Sequence, residues 1–253
     1  MATLEQGEPK GTGAKGVDKV QVLLAPVAGV AMERFQAVVA DSVTRLDGQR
    51  GKGVGIRAGF LLKPNPIGDM PHSQKGSAAT FEGLIEFFSD GDGAGRATVD
   101  GLVGSLHDAI EPVVDWQQSA VIAGREYRLL PGWGELQLVF ALRRKPSLSR
   151  TAFQDYWLNH HAGYALEQGV DDRTFYYRQF HTDGCWSGDL ARDHGFGIAD
   201  FDGVAEVYYQ SVEEIAERFS RPEVSRDAYA DEKTFIDHER SWLGFFRMFR
   251  CDR

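Results

Sequence analysis

The 253-residue chain reads as an α+β fold: two tandem ferredoxin-like (β-α-β-β-α-β) units forming an α+β barrel. Three observations predict it. Strand-like and helix-like apolar periodicities follow one another in the same order twice. A compact Pro131-Gly132-Trp133-Gly134 segment separates the two runs. The stretch 135–144 (ELQLVFALRR) sets Leu136, Leu138, Phe140 and Leu142 on one face, the pattern of a half-buried strand.

Residues 1–17 are polar, Gly-rich and aperiodic, and read as a disordered leader. The first unit, 18–131, has strands at 19–25, 54–62, 80–88 and 125–130. Its helices are 31–46, with Phe35, Val38, Val39 and Val43 on one face, and 97–115, with Leu102, Leu106 and Ile110 inward. The segment 63–76 is a Pro-rich loop long enough to serve as a flap, 89–96 is a turn, and 116–123 is further helix or turn. In the second unit, 135–253, Ser149 caps a helix over 151–168 and a strand follows at 173–182. A long loop at 183–201 leads to a strand at 202–210. Ser211 then starts a short helix, Pro222 breaks it, 223–236 is helical and 242–250 is the last strand. One sheet from each unit, packed face to face, would close the barrel.

Composition removes several function classes. Apolar residues are 42% and charged residues 26% of the chain, as in a soluble globular protein. A net charge of −9 argues against a nucleic-acid binder, which needs a basic face to displace counterions. No apolar run reaches the roughly 18 residues of a membrane span, and the N-terminal residues have no apolar signal region. Cys185 and Cys251 are far apart, which suits a reducing cytoplasm rather than a disulfide framework.

The chemistry is expected in the stretch 153–164. At 100° per residue, Phe153, Trp157 and Tyr164 fall within about 40° of one another, with His160 and His161 flanking them. Imidazoles exchange protons near neutral pH, so histidines beside an aromatic stripe are acid–base candidates; a packed amphipathic helix with locally bonded histidines is the plainer reading.

The second half resembles EthD-like domains of the dimeric α+β barrel superfamily. That family shows an R-K-P loop followed by F-x-x-Y-W-x-x-x-H, here Arg144-Lys145-Pro146, Phe153, Tyr156, Trp157 and His161. Its D-G-x-A-E strand is matched by Asp202, Gly203, Ala205 and Glu206, and its D-E-x-x-F-x-D stretch by Asp231, Glu232, Phe235 and Asp237. The first half has no W-x-x-x-H, so the chain resembles a fused pseudo-dimer whose first repeat kept the fold and lost the chemistry.

The resemblance implies a small-molecule cleft between helices and sheet. If the face of the second strand that carries Tyr177, Gln179 and His181 points toward the helices, His161, His181 and Tyr177 converge as catalytic groups. A solvent-facing His181 and a core Tyr177 are the alternatives. His160, Tyr156, Trp157, Tyr164, Glu206 and Trp186 would bind substrate, although an ion pair to Arg143, Arg178 or Arg247 also accounts for Glu206. Asp202 before Gly203 reads as turn chemistry. The histidine spacings do not suit a metal, and no nucleotide or hydrolase-elbow motif is present. The expected function is a cofactor-independent lyase for an aromatic or polyketide-like molecule, acting by dehydration, decarboxylation or aldehyde elimination. The alternatives are a cofactor-free or heme-dependent monooxygenase and a non-catalytic ligand-binding barrel. A small aromatic substrate is the expected partner, with a further pairing into a homodimer left open.

Overall fold

The structure, a computed structural model, describes residues 16–68, 80–89, 94–169 and 176–252. Nearly all of the expected leader, the second half of the flap segment and the start of the strand read over 173–182 lie outside the described residues.

Eight strands close into an antiparallel barrel in the order β1-β3-β2-β8-β5-β7-β6-β4. The first half runs β1 (Val17–Leu24), α1 (Met32–Asp47), β2 (Val54–Leu61), β3 (Gly83–Ser89), α2 (Ala94–Ile110) and β4 (Ala120–Leu130). The second runs β5 (Leu136–Leu142), α3 (Arg150–Tyr156), a π-helical turn (Trp157–His161), α4 (Ala162–Gly169), β6 (Tyr176–Thr182), α5 (Gly184–His194), β7 (Gly203–Tyr209), α6 (Val212–Phe219), α7 (Pro222–Phe235) and β8 (Trp242–Cys251). Spatially the halves read β4-β1-β3-β2 and β8-β5-β7-β6. They are not stacked face to face. Instead β2 hydrogen-bonds to β8 and β4 to β6, so the edges of the two four-stranded sheets satisfy each other.

Closure buries both faces of the strands, and β5, expected half-buried, is buried at every residue. Its Leu136, Leu138, Phe140 and Leu142 pack outward with Phe153, Trp157, Ile215 and Phe235 of the surrounding helices. Its Gln137, Val139 and Ala141 alternate to the lumen. In the first half, Val20, Val22, Leu24, Ile85 and Phe87 pack outward with Phe35, Val39 and Val43 of α1 and Val99, Val103 and Leu106 of α2.

The lumen is layered. One part is apolar, with Leu23, Phe81, Leu84, Ile122, Phe180, Val204, Trp242 and Phe246. The other is ionic. Lys19 Nζ lies 2.7 Å from Glu86 and 3.0 Å from Glu126, and also pairs with Glu206. Arg57 Nη2 bonds Glu126 at 2.9 Å and Arg178 Nη1 bonds it at 3.2 Å. Such a group is tolerated in a low-dielectric interior only because charges of both signs meet there.

Three elements differ from the sequence expectation. β4 starts at Ala120, within the segment read as helix or turn; its small residues face lumen and helices alternately, so burial on both sides erases the polar alternation. The helix read over 97–115 stops at Ile110, and Pro112 sits in a short 3₁₀ turn over Glu111–Val113. The long loop read over 183–201 contains α5. Asp183 caps it by accepting from the backbone N–H of Cys185 at 2.9 Å and Trp186 at 3.1 Å. Trp186 and Leu190, one turn apart, pack into the core of the first half. Gly184 and Gly188 masked that signal.

Replacing Asp183 by Ala should therefore lower unfolding stability by about 1 kcal/mol. Equilibrium urea unfolding measures it, and an unchanged midpoint would show that the cap contributes nothing.

Candidate active site

The site is assembled by α3, the π turn and α7 over the outer face of β5–β8. Ser149 starts α3 by accepting from Ala152 N–H, as expected of an N-cap. The ladder then widens: the N–H of Ala162 donates to the carbonyl of Trp157, five residues back. Gln179 of β6 also donates to that carbonyl, at 3.1 Å. The extra residue in the turn rotates everything after it. His161 thus joins Trp157 on the buried side, while Tyr164 is 39% exposed, contrary to the single stripe expected of a regular α-helix.

His161 is 7% exposed. Its Nδ1 lies 2.7 Å from Asp231 Oδ2 on α7, and the other Asp231 oxygen accepts from Tyr156 O–H at 2.6 Å. Glu232 stands 4.0 Å from His161 Nε2 and bonds His238 Nε2 at 2.9 Å. Phe235 packs beside the His161 ring at 5.0 Å between centroids. The hydrogen bond to Asp231, then burial, raises the Tyr156 phenol above its ordinary value. A carboxylate that fixes Nδ1–H leaves Nε2 to accept a proton, the arrangement of an oriented general base.

His181 and Tyr177 do face the helices, but their contacts are with Trp157. The His181 ring stacks on the indole, 4.9 Å away and within 5° of parallel. Tyr177 oxygen accepts from Trp157 Nε1 and Gln179 Nε2, both at 3.1 Å, and His181 Nε2 meets Gln179 Oε1 at 3.0 Å. No ring contact joins His161 to His181 among the described residues. Burial holds the His181 imidazole down at about 3 and, with Glu232 adding to it, pushes the Tyr177 phenol well up. His181 is therefore neutral near physiological pH and steadies Trp157. Gly203, of the D-G pair, is required here: a Cβ would meet the Trp157 ring at 2.6 Å.

Other expected residues lie elsewhere. His160 is exposed and stacks on Tyr156, with ring centroids 5.2 Å apart. Trp186 belongs to the core of the first half, where its indole N–H donates to Asp100 at 2.7 Å. Glu206 alternates into the lumen, on the opposite face of the sheet from His161, because it shares the inward parity of Val204 and Tyr208. Its direct partners are Lys19, Gln21 and Tyr208 rather than Arg143, Arg178 or Arg247. Asp202 does more than turn the chain: it accepts from Arg144 N–H at 2.9 Å, Arg144 Nη1 at 2.6 Å and Arg150 Nε at 2.8 Å. Asp231, whose importance the sequence carried only as part of a motif, is the residue that orients His161.

The closed eight-stranded antiparallel barrel with its outer helices is a fold found among solved structures. Residues 145–239 match the EthD domain family. Among solved structures, a protein provisionally named a chlorite dismutase aligns with TM-score 0.53 at 9% identity, covering 92% of this chain and 94% of its own. A provisionally named monooxygenase from Lactobacillus acidophilus aligns with TM-score 0.51 at 8% identity, covering 92% and 93%. Chlorite dismutase from Candidatus Nitrospira defluvii in complex with imidazole aligns with TM-score 0.50 at 11% identity, covering 91% and 90%. Such identities establish shared fold alone. No curated protein matches the sequence. Among the described residues no helix is long and apolar enough to cross a membrane, and no three His, Cys, Asp or Glu side chains gather as metal ligands.

The lumen carboxylates generate a pH prediction. Burial, then Glu86, pushes Glu206 up to about 7 against the pull of Lys19, while Arg57 and Lys19 overcome burial and hold Glu86 at about 2. Because the folded state keeps the Glu206 proton between its unfolded value near 4.5 and about 7, this group's contribution is present below that window and lost as pH rises through it. Glu206→Gln should gain stability relative to wild type from pH 4.5 to 7, by at most about 1.4 kcal/mol per pH unit. Chemical unfolding of both proteins across that range measures it; a pH-independent difference would contradict the assignment.

Proposed function

We propose that the chain is an enzyme, a cofactor-independent lyase for a flat aromatic or polyketide-like molecule, with His161 as its general base. The observation that carries this reading is the 2.7 Å contact between His161 Nδ1 and Asp231, itself fixed by Tyr156. Asp231 sets the tautomer. In dehydration Nε2 removes a proton from carbon next to a carbonyl, the electron pair forms the C=C bond, and the β C–O bond breaks to release hydroxide, protonated to water. In decarboxylation or aldehyde release it removes a proton from a carboxyl or hydroxyl oxygen, and that pair forms the C=O of CO₂ or the aldehyde. The C–C pair passes to the carbonyl- or phenol-conjugated carbon, which is then protonated. Tyr156, Tyr164 and Phe235 offer aromatic surface around the imidazole, and Glu232 is the second proton carrier. His181 and Tyr177 act by holding Trp157, and His160 lies on the rim.

The repeated strand order supports reading residues 18–131 and 135–253 as tandem ferredoxin-like units, the second carrying the site. A heme laid between the second-half helices and the sheet would need the space filled by Phe153, Trp157 and Phe235, each at most 1% exposed. The residues present do not fit that group there, so no step is routed through it.

The test is turnover of a panel of phenolic acids, aldehydes and β-hydroxy carbonyl compounds, with products identified by mass spectrometry. His161→Ala should lower the rate by about 10²- to 10⁴-fold with an unchanged near-ultraviolet spectrum. Asp231→Asn should lower kcat more than it raises KM, because it disturbs the tautomer rather than the contact surface. Full turnover by His161→Ala, or oxygen consumption in step with product, would overturn the reading.

A further inference from the structure

We infer that a cavity where β2, β3 and β8 meet at the apolar end of the barrel is a second small-molecule site, selective for a planar aromatic carboxylate. It encloses about 330 Å³, within the range of ligand pockets. Its walls come from both halves: Leu61 and Leu62 at the end of β2, Phe81 before β3, and Trp242 and Phe245 on β8. Trp242 and Phe81 are 3% and 0% exposed and meet edge to face at 5.0 Å, which gives the cavity rigid, flat apolar surfaces.

The polar groups at its rim decide the ligand's charge. Glu82 is the acidic residue among them, and its carboxylate already accepts from Lys63 Nζ at 2.7 Å. The donors are less engaged. The Lys63 side chain is 60% exposed and has N–H groups beyond the one given to Glu82. The Asn65 carbonyl accepts from Ile67 N–H at 3.2 Å, which leaves its NH₂ facing no described partner. Trp242 adds a nearly fully buried indole to the wall beside them. A cavity with apolar walls, a satisfied acid and several donors favours an acceptor-rich, anionic head on an aromatic body.

This site is independent of the acid–base reading. Its lining residues are distinct from the partners given for His161, Asp231 and Tyr156, which are on α3, the π turn, α4 and α7.

Isothermal titration of the full chain with 2-naphthoate, and with neutral 2-naphthol, tests the proposal. A saturable site that persists in His161→Ala is expected, with the carboxylate bound there more tightly than the alcohol. Lys63→Met should weaken naphthoate by at least about tenfold, as loss of a charge-assisted hydrogen bond requires, while changing naphthol little. Glu82→Gln should tighten naphthoate by releasing Lys63. His161→Ala should leave both affinities unchanged. Absence of saturable binding would overturn the proposal, as would equal affinity for the two compounds. Binding that is lost in His161→Ala but kept in Lys63→Met would also overturn it, by placing the ligand at the other site.

Discussion

The buried charge group in the lumen is the constraint on which the rest of the architecture depends. Lys19 comes from β1 and Glu206 from β7, so their pairing joins the two halves through the interior, as β2–β8 and β4–β6 join them through the backbone. Arg57 Nη1 bonds Tyr208 O–H at 2.6 Å, which crosses the halves again. Replacing one partner would leave an uncompensated charge where water is excluded, a penalty of several kcal/mol. The group thus favours one closed register over slipped alternatives, in which every lumen residue would turn outward. Burial pulls the Lys19 ammonium down, but Glu206, Glu86 and Glu126 outweigh it and leave the group raised above its ordinary value, so it serves as a fixed cation rather than a nucleophile.

With the lumen cross-linked by charge, the proposed sites lie on the outer face and at the barrel end. On the outer face, the π turn supplies what a regular helix would not: it brings His161 round toward α7 while Trp157 stays seated on β6. Gln179 links these events, since its amide reaches the Trp157 carbonyl, the Tyr177 oxygen and His181. The helix irregularity is therefore tied to the sheet by a defined set of hydrogen bonds, a common setting for a π turn at a functional position.

Much of the strand order was legible because the periodicity of β1, β2, β5 and β8 survives burial. Where both faces of a strand are covered, as at Ala120–Leu130, alternation disappears and only the structure locates the start. α5 was hidden by two glycines, although Asp183, Trp186 and Leu190 spell a cap and one apolar face. Glu206 illustrates a different limit. Its parity with Tyr208 could be read from the sequence, but which face of β7 met the lumen depended on closure by distant strands. The EthD motifs made His161 and Asp231 legible as separate stretches; their meeting across 70 residues is a tertiary fact.

In the proposed mechanism Asp231 holds His161 with Nδ1 protonated and Nε2 available as a base. Nitrogen-15 correlation spectra of the histidine rings test this directly, because the two neutral tautomers have distinct nitrogen shifts. The Nδ1–H tautomer is expected for neutral His161 in the wild type, and its loss in Asp231→Asn. An Nε2–H tautomer in the wild type, or a spectrum indifferent to Asp231, would contradict it.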